Sequence, residues 1–132
     1  VRSRRQRQMC IRDRSDNYVE TILGRRRYVW DVNSENALKK QAAERVAINM
    51  PIQGTAAELI KIAMIDIQKN IENDKLNSKM ILQIHDELLF EYPFEEEKHL
   101  ISMVKKSMEN AMNLKVPIIV DYGFGKDWFE AH

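Results

Sequence analysis

The sequence contains one cysteine and no long apolar run, and both absences limit what the protein can be. A single cysteine, Cys10, cannot build an internal disulfide framework or a cysteine-rich zinc site. A reducing, cytoplasmic setting is therefore expected. No apolar run approaches the ~20 residues of a membrane span, and the start lacks the apolar segment of a secretory signal. We expect neither a membrane partner nor a disulfide-stapled secreted domain.

A strong excess of charge is also absent. The formal net charge is only +1, although residues 1–14 contain six arginines and one aspartate. The other residues comprise 15 basic and 19 acidic side chains, a balance of −4. Total charge therefore does not indicate a nucleic-acid binder, and the placement of individual charges must decide.

The basic segment 1–14 has two interpretations. As a basic arm it could bind nucleic acid. Its letters QRQMCIRDR also look like a translated sequencing adapter or assembly scar, and we favour this second interpretation. We therefore expect residues 1–14 not to be native. Residues 15–132 are taken as the folded part, and a chain of this length is one domain at most.

Residues 18–32 predict a hairpin. The runs YVETIL and RYVWDV are β-prone, and Gly24 with Arg25 can supply the turn between them. Arg25, Arg26 and Arg27 then cluster near the tip. A solvated charge cluster and a contact to the phosphate backbone of a nucleic acid both account for these arginines, and the sequence alone does not decide between them.

Three helices are predicted in the rest of the chain. The first covers about 35–50 with Ser34 as its N-cap, and Pro51 then bends or breaks it because proline lacks a backbone donor. The second covers 54–72, where Thr55 and Glu58 have capping-box spacing. The third covers 95–112, with one apolar stripe and acidic residues in its first turn.

The stretch 79–93, KMILQIHDELLFEYP, is the one around which the chain is organised. Two apolar runs of strand length flank His85, Asp86 and Glu87. A two-residue loop of His85 and Asp86 needs positive φ, which both residue types tolerate. The expected pairs are then Ile84 with Glu87, Leu82 with Leu89, and Ile81 with Phe90. The predicted class is α/β of the α+β type: an antiparallel sheet of 80–84, 87–92 and 117–122, packed with the helices.

Two groups of residues in these elements could carry chemistry. Asp86 and Glu87 are adjacent acids at a hairpin tip, where carboxylate oxygens could bind a hard divalent cation. Alternatively, Asp86 only makes the turn and Glu87 is a solvated strand end. Arg45, Asn49 and Gln53 recur at intervals of four and form a donor row. Such a row suits the minor groove, whose acceptors discriminate poorly among base pairs, although three exposed polar residues on the back of a helix are the plainer alternative.

Four stretches of the sequence resemble the C-terminal end of the bacterial family A DNA polymerases, the DNA polymerase I family. They are YVETILGRRRYVWDVNSEN, AERVAINMPIQGTAAELIKIAMI, LQIHDELLFEYP and VPIIVDYGFGKDWFEAH. Together they cover essentially all of residues 17–132. The combination of the HDEL hairpin with AINxPIQGTAA is highly specific. The resemblance implies part of a polymerase palm and fingers, with an antiparallel palm sheet.

The resemblance also implies roles for the residues singled out above. Asp86 would be a catalytic carboxylate that binds magnesium, and Glu87 its acidic catalytic neighbour. His85 would contact the primer terminus, and the donor row would touch template and primer near the newly made base pair. The implied reaction is attack of a primer 3′-hydroxyl on the α-phosphate of a deoxynucleoside triphosphate, with two Mg²⁺ ions in the complete enzyme.

The chain departs from the family pattern at two places and lacks part of it. Trp30 stands where the family usually has proline, and Asp127 where asparagine or serine is common. The other metal-binding aspartate and the nucleotide-binding helix should lie upstream, in a missing N-terminal portion of the same polymerase. We therefore expect the 132-residue chain to be inactive by itself.

Two other classes of function are compatible with parts of the sequence. The first is a non-catalytic nucleic-acid-binding module that retains the palm fold, although an unbroken HDE triplet has a rationale only in catalysis. The second is a metal-dependent nuclease or phosphatase with a local cluster of His85, Asp86 and Glu87. Consecutive side chains of a strand-like turn alternate in direction, which argues against that cluster.

Overall fold

The computed structural model describes residues 17–131, so the predictions for the basic segment 1–14 lie outside the described residues. The chain divides into two compact units, one ending at Glu58 and the other beginning at Leu59. The elements in order are β1 (Tyr18–Glu20), β2 (Arg26–Tyr28), a 3-10 turn (Trp30–Asn33), α1 (Ala37–Asn73), β3 (Lys79–Ile84), β4 (Glu87–Glu91), a second 3-10 turn (Phe94–Glu96), α2 (Glu97–Glu109) and α3 (Trp128–Ala131). The predicted class, helices combined with antiparallel strands, is confirmed. Among the described helices, none has the length and apolar content to cross a membrane.

The first unit begins with the predicted hairpin. β1 and β2 pair in antiparallel fashion, with Tyr18 opposite Tyr28 and Glu20 opposite Arg26. Gly24 in the connecting turn has a φ of +85°, which glycine adopts without strain. The prediction of this hairpin is confirmed, but the prediction of Gly24 and Arg25 as its turn is wrong: the connection is five residues, 21–25, and the turn itself is at Ile22 and Leu23.

The second strand of this hairpin is shorter than predicted. It ends at Tyr28, and the chain then forms the 3-10 turn Trp30–Asn33, so the prediction of strand through residue 32 is wrong. Val29 and Val32 are both buried, and a spacing of three places them on one side of a 3-10 turn. There they join Val19 of β1 and two alanines of α1, Ala43 and Ala47, in the core of the first unit.

Helix α1 is capped two residues later than predicted. The side-chain oxygen of Asn36 accepts hydrogen bonds from the N–H groups of Leu38 (3.0 Å) and Lys39 (3.3 Å), which makes Asn36 the N-cap. The prediction of Ser34 as N-cap is wrong. Its hydroxyl accepts from the N–H of Asn36 (3.2 Å) and lies outside the helix.

Pro51 lies inside α1, and the prediction of separate helices over 35–50 and 54–72 is wrong. A proline in a helix interior removes one hydrogen bond and costs about 3 kcal/mol. Packing outweighs this cost on both sides of the proline. Ala43 and Ala47 before it are buried in the core, and Thr55 and Glu58 after it are bonded to the β1-β2 hairpin.

The second unit contains the central hairpin in nearly the predicted register. Ile84 lies opposite Glu87 and Leu82 opposite Leu89, as predicted. Phe90, however, lies opposite Met80 and not Ile81, because a β-bulge inserts Ile81 between the two pairs. The extra residue lets Met80 pack beside Phe90 against the core.

The core of the second unit is formed between α1 and α2. Ala63, Ile67 and Ile71 are spaced by four on one face of α1 and are buried with Leu100 of α2. The predicted helix 95–112 is confirmed in its middle, but it begins as a 3-10 turn and ends at Glu109. The side chain of Asn110 ends it by donating to the carbonyl of Lys106 (2.8 Å).

The predicted third strand, 117–122, is wrong. In the described part of the chain each sheet has two strands, and this segment has no regular structure. A strand must hydrogen-bond to a neighbour, and β-prone residues alone do not supply one. Ile119 is 78% exposed, so no strand among residues 17–131 covers it.

Candidate active site

The candidate catalytic residues lie at the tip of the β3-β4 hairpin. His85 has a φ of 53°, in the left-handed region, whereas Asp86 keeps a negative φ. The prediction of positive φ therefore holds for His85 and fails for Asp86. The side-chain amide of Gln83 donates to the carbonyl of His85 (3.1 Å) and ties the loop to β3. This short, anchored loop holds Asp86 and Glu87 at the end of the ribbon.

All three residues of the HDE triplet are exposed. The ribbon beneath them is buried on one face only: Leu88 and Phe90 pack against the core, whereas Ile81 and Leu82 are about half exposed. The ribbon is therefore half buried, although its two apolar runs are typical of buried strands. The exposed tip leaves the carboxylate of Asp86 accessible to an ion or a nucleic acid.

The carboxylates at the tip are suitable ligands for a hard cation, but they are too few to form a complete metal site. Asp86 and Glu87 offer carboxylate oxygens, the ligands that Mg²⁺ prefers, and Mg²⁺ takes six ligands in octahedral geometry. Within residues 17–131 no group of three or more His, Cys, Asp or Glu side chains could hold a metal. The remaining protein ligands would have to come from outside this part of the chain. The nuclease or phosphatase hypothesis, which needs a local cluster, gains no support.

The predicted donor row lies on α1, in the first unit. Arg45, Asn49 and Gln53 are all exposed, and the helix is unbroken between them. Residues four apart are separated by about 6 Å along a helix and drift by only about 40° around it. The row is therefore one continuous stripe. Ala43 and Ala47, which alternate with it, are buried in the core.

Side-chain contacts that were not predicted from the sequence fasten the β1-β2 hairpin to α1. The hydroxyl of Thr21 donates to Glu58 (2.9 Å), and the guanidinium of Arg25 lies 3.1 Å from the same carboxylate oxygen. The N–H of Ile22 donates to the hydroxyl of Thr55 (3.1 Å). We call Thr21, Arg25, Thr55 and Glu58 the hairpin clamp. The sequence feature that marks the clamp is the Thr-x-x-Glu spacing, which by itself predicts a helix cap.

Two details show how tightly the hairpin clamp is packed. A Cβ atom on Gly54 would lie 2.6 Å from the methyl group of Thr21, so glycine is required for this close approach. The second carboxylate oxygen of Glu58 is buried and has no hydrogen-bond partner among the described residues. The clamp holds α1 immediately after Gln53, the last member of the donor row.

Glu96 anchors the start of the β3-β4 hairpin, as the hairpin clamp anchors the β1-β2 hairpin. Its carboxylate accepts hydrogen bonds from the N–H groups of Asn77 and Ser78 (both 2.9 Å) and from the hydroxyl of Ser78. The hydrogen bond from the Ser78 hydroxyl, followed by the backbone bonds, holds the pKa of Glu96 below its ordinary value. Because Ser78 immediately precedes β3, Glu96 fixes the point at which the ribbon begins.

A groove of about 810 Å³ in the second unit contains none of the predicted site residues. It lies between α1 and α2, and several of its polar side chains are hydrogen-bonded to one another. The hydroxyl of Ser107 donates to Asp66 (2.5 Å), and His99 pairs with Asp74 (2.7 Å). The groove is therefore not the candidate active site.

Comparison with known proteins identifies the class of protein that this fold and hairpin define. The family model described as DNA polymerase family A matches residues 5–130. The chain belongs to the DNA polymerase A family, which confirms the resemblance in the sequence.

The individual relatives are more specific. The chain is 49% identical over 115 residues to DNA polymerase I of Mycobacterium leprae, covering 87% of this chain and 13% of that protein. It is 46% identical over 117 residues to DNA polymerase I of Deinococcus radiodurans, covering 89% and 12%. A solved structure of the POL domain of Pol1 from M. smegmatis, in complex with DNA primer-template and dNTP, matches with a TM-score of 0.91 and 44% identity, covering 96% of this chain and 22% of that one. The chain thus spans about an eighth of the length of the M. leprae and D. radiodurans polymerases.

Proposed function

We propose that the chain is the C-terminal part of a cytoplasmic DNA-directed DNA polymerase, which adds deoxynucleotides to a primer 3′-hydroxyl on a template. The observation that carries this proposal is the placement of Asp86 on an exposed, anchored two-residue loop in a chain of the DNA polymerase A family. Primer–template DNA and deoxynucleoside triphosphates, the partners in the M. smegmatis structure, are the proposed partners here as well. Residues 1–14 remain, in this proposal, a segment that is not native.

Magnesium is the proposed cofactor. Asp86 would hold it, with Glu87 beside it, and carboxylates from the rest of the polymerase would complete the site. When bound, a pair of such ions stabilises the charge on the attacking and leaving oxygens of phosphoryl transfer. The contribution of this chain is to hold the Asp86 carboxylate in a fixed position before substrate binds. The short loop, the hydrogen bond from Gln83 and the paired strands provide this rigidity.

The DNA-binding residues are proposed to act through groups shared by all base pairs. The donor row presents a guanidinium and two amides along one exposed stripe of α1. Minor-groove acceptors of purines and pyrimidines occupy similar positions in every pair, so such a stripe recognises duplex geometry and not sequence. His85, beside Asp86 in the loop, is the proposed contact to the primer terminus.

The test is Asp86→Asn in the complete polymerase that contains this chain. Removing a metal-binding charge affects the transition state more than ground-state binding. Incorporation in a single turnover should be abolished, whereas affinity for primer–template should be nearly unchanged. Glu91→Gln, at the other end of β4, is the matched control and should incorporate normally. A near wild-type rate in Asp86→Asn would refute the assignment and favour a non-catalytic nucleic-acid-binding module.

A further inference from the structure

Three aromatic side chains contact one another in a row on the β1-β2 hairpin; Tyr28 and Trp30 are exposed and Tyr18 is half-buried. The Tyr18 and Tyr28 rings meet edge to face with centroids 5.9 Å apart. The Trp30 ring stacks on Tyr28 at 4.9 Å, with the two planes only 5° apart. We call these three residues the aromatic face. Trp30, at its end, is 68% exposed.

The aromatic face is not part of the core of its unit. Neighbouring residues in a strand point to opposite sides, and the core takes Val19, from the side opposite to Tyr18. Tyr28 covers one side of the Trp30 ring, and the exposure of Trp30 leaves its other side open to solvent. A flat, open tryptophan ring at the end of an ordered stack is a surface on which another ring can stack.

An arginine lies against the aromatic face. Of the three arginines in residues 18–30, Arg25 pairs with Glu58 in the hairpin clamp and Arg27 lies on the opposite side of the strand, so Arg26 is the one on this face. The guanidinium of Arg26 lies 4.5 Å from the centroid of the Tyr18 ring and is also bonded to Glu20. This combination of stacked aromatic rings and an arginine complements a ligand that carries flat bases and phosphates.

We infer that the aromatic face is a binding subsite for single-stranded DNA, in which an unpaired base stacks on the open side of Trp30. Bases inside a duplex are already stacked on both sides, so only an unpaired base can offer a free ring surface. On the same side of the hairpin, Arg26 offers a guanidinium to a phosphate that flanks this base. The inference deepens the proposed function and rests on it, because the template of a polymerase is single-stranded beyond the primer end.

The residue at position 30 provides the test variants. The family usually has proline there, and position 30 is the first residue of a 3-10 turn, where proline fits. Trp30→Pro should therefore fold normally without the stacking ring. Trp30→Ala removes the ring in a second way, and Trp30→Phe keeps a ring. Ile22→Ala is the matched control, because Ile22 has the same exposure of 68% and lies on the same hairpin outside the aromatic face.

The experiment measures binding of the complete polymerase, without nucleotide, to two primer–templates that differ only in the template overhang, one or twelve unpaired nucleotides. Loss of one stacked base is expected to weaken binding about tenfold. Trp30→Ala and Trp30→Pro should show this loss for the twelve-nucleotide overhang and none for the one-nucleotide overhang. Trp30→Phe should restore most of the affinity, and Ile22→Ala should bind like the unchanged protein.

Three results would overturn the inference: no loss in the Trp30 variants, the same loss for both overhangs, or the same loss in Ile22→Ala. A twelve-nucleotide single strand without primer provides a second measurement with the same expected order of variants. Both measurements need no nucleotide incorporation. Failure of the polymerase proposal in the Asp86→Asn test can therefore be distinguished from failure of this subsite.

Discussion

Thr21 donates its hydroxyl to the carboxylate of Glu58, 37 residues later in the chain, at 2.9 Å, and both side chains are buried. The same hydroxyl accepts the N–H of Arg25 (3.1 Å), so one threonine closes the turn of the hairpin and fastens it to α1. A buried carboxylate needs such partners, because an unsatisfied one costs more than an ordinary hydrogen bond contributes.

Replacing Thr21 tests this contact. Thr21→Val keeps the shape and removes the donor, which leaves Glu58 buried with one partner fewer. We expect the opening free energy of the β1-β2 hairpin to fall by about 1–3 kcal/mol. Hydrogen–deuterium exchange in the complete polymerase would then show faster exchange at the hairpin amides, Ile22 among them. Thr21→Ser retains the hydroxyl and is the control; equal exchange in the two variants would contradict the role given to the hydrogen bond.

Gln53→Ala tests the donor row. In the complete polymerase it should reduce primer extension, most of all from mismatched or minor-groove-modified primer ends, and equally for all base pairs. The reason is that minor-groove acceptors are common to all pairs. Gln41→Ala removes the same kind of side chain from an exposed position elsewhere on α1 and should have no effect. A strong preference of the Gln53 variant for one template base would indicate a sequence-specific contact instead.

The donor row and the hairpin tip could be found from the sequence because both depend on local periodicity. The sequence nevertheless predicts a bend between Asn49 and Gln53, because proline lacks a backbone N–H and usually bends or ends a helix. The contacts of Thr55 and Glu58 with a hairpin some thirty residues earlier, together with the buried Ala43 and Ala47, stabilise α1 on both sides of Pro51. Those contacts are tertiary, and the local pattern that marks them is the same pattern that marks a helix cap.

Glu96 should make the stability depend on pH. Its pKa is held below the ordinary value of 4.5, mainly by the Ser78 hydroxyl. The stabilisation is therefore complete above about pH 4.5 and is lost as the pH falls through the lower pKa of the folded state. Glu96→Gln should lower the melting temperature of the 132-residue chain at pH 6, and the difference should shrink steadily towards pH 3.

Thermal melting followed by circular dichroism at low protein concentration measures this difference. Glu95→Gln, an exposed neighbour in the same 3-10 turn, serves as the control and should melt like the unchanged chain at every pH. A difference between Glu96→Gln and the unchanged chain that does not vary with pH would assign the effect to packing and not to the charge.

The 132-residue chain alone should have no polymerase activity. The described residues hold no group of carboxylates that could complete a metal site, so magnesium and triphosphate would not be positioned for in-line attack. Exposed apolar residues such as Val116, Ile119 and Phe124 should also make the chain poorly soluble. Primer extension with magnesium, with and without residues 1–14, measures the activity. Template-dependent extension above an Asp86→Asn control would require a second metal ligand within this chain.

The failed prediction of a third strand has a different physical origin from the failure at Pro51. The run VPIIVDY has the composition of a strand, and composition reports only that its residues would fit a sheet. Pairing needs a partner, which no local pattern in residues 116–122 can reveal. The register of the β3-β4 hairpin was mostly predictable because its partner is adjacent in the sequence and its loop is short.

The bulge at Ile81 divides the β3-β4 ribbon into two parts, and the alternation of side-chain directions in one part does not determine that in the other. In a regular ladder, the side of the ribbon on which Met80 lies would be dictated by the loop, because every side chain follows the same alternation. The inserted residue resets the alternation between Met80 and Leu82. The side chains at the base of the ribbon can thus pack against the core, while the direction of Asp86 at the outer end is set separately by the loop. If residues 80–82 paired without the bulge, Met80 would lie on the same side as Leu82 and away from Phe90, so either its packing against the core or the orientation of the tip would be lost.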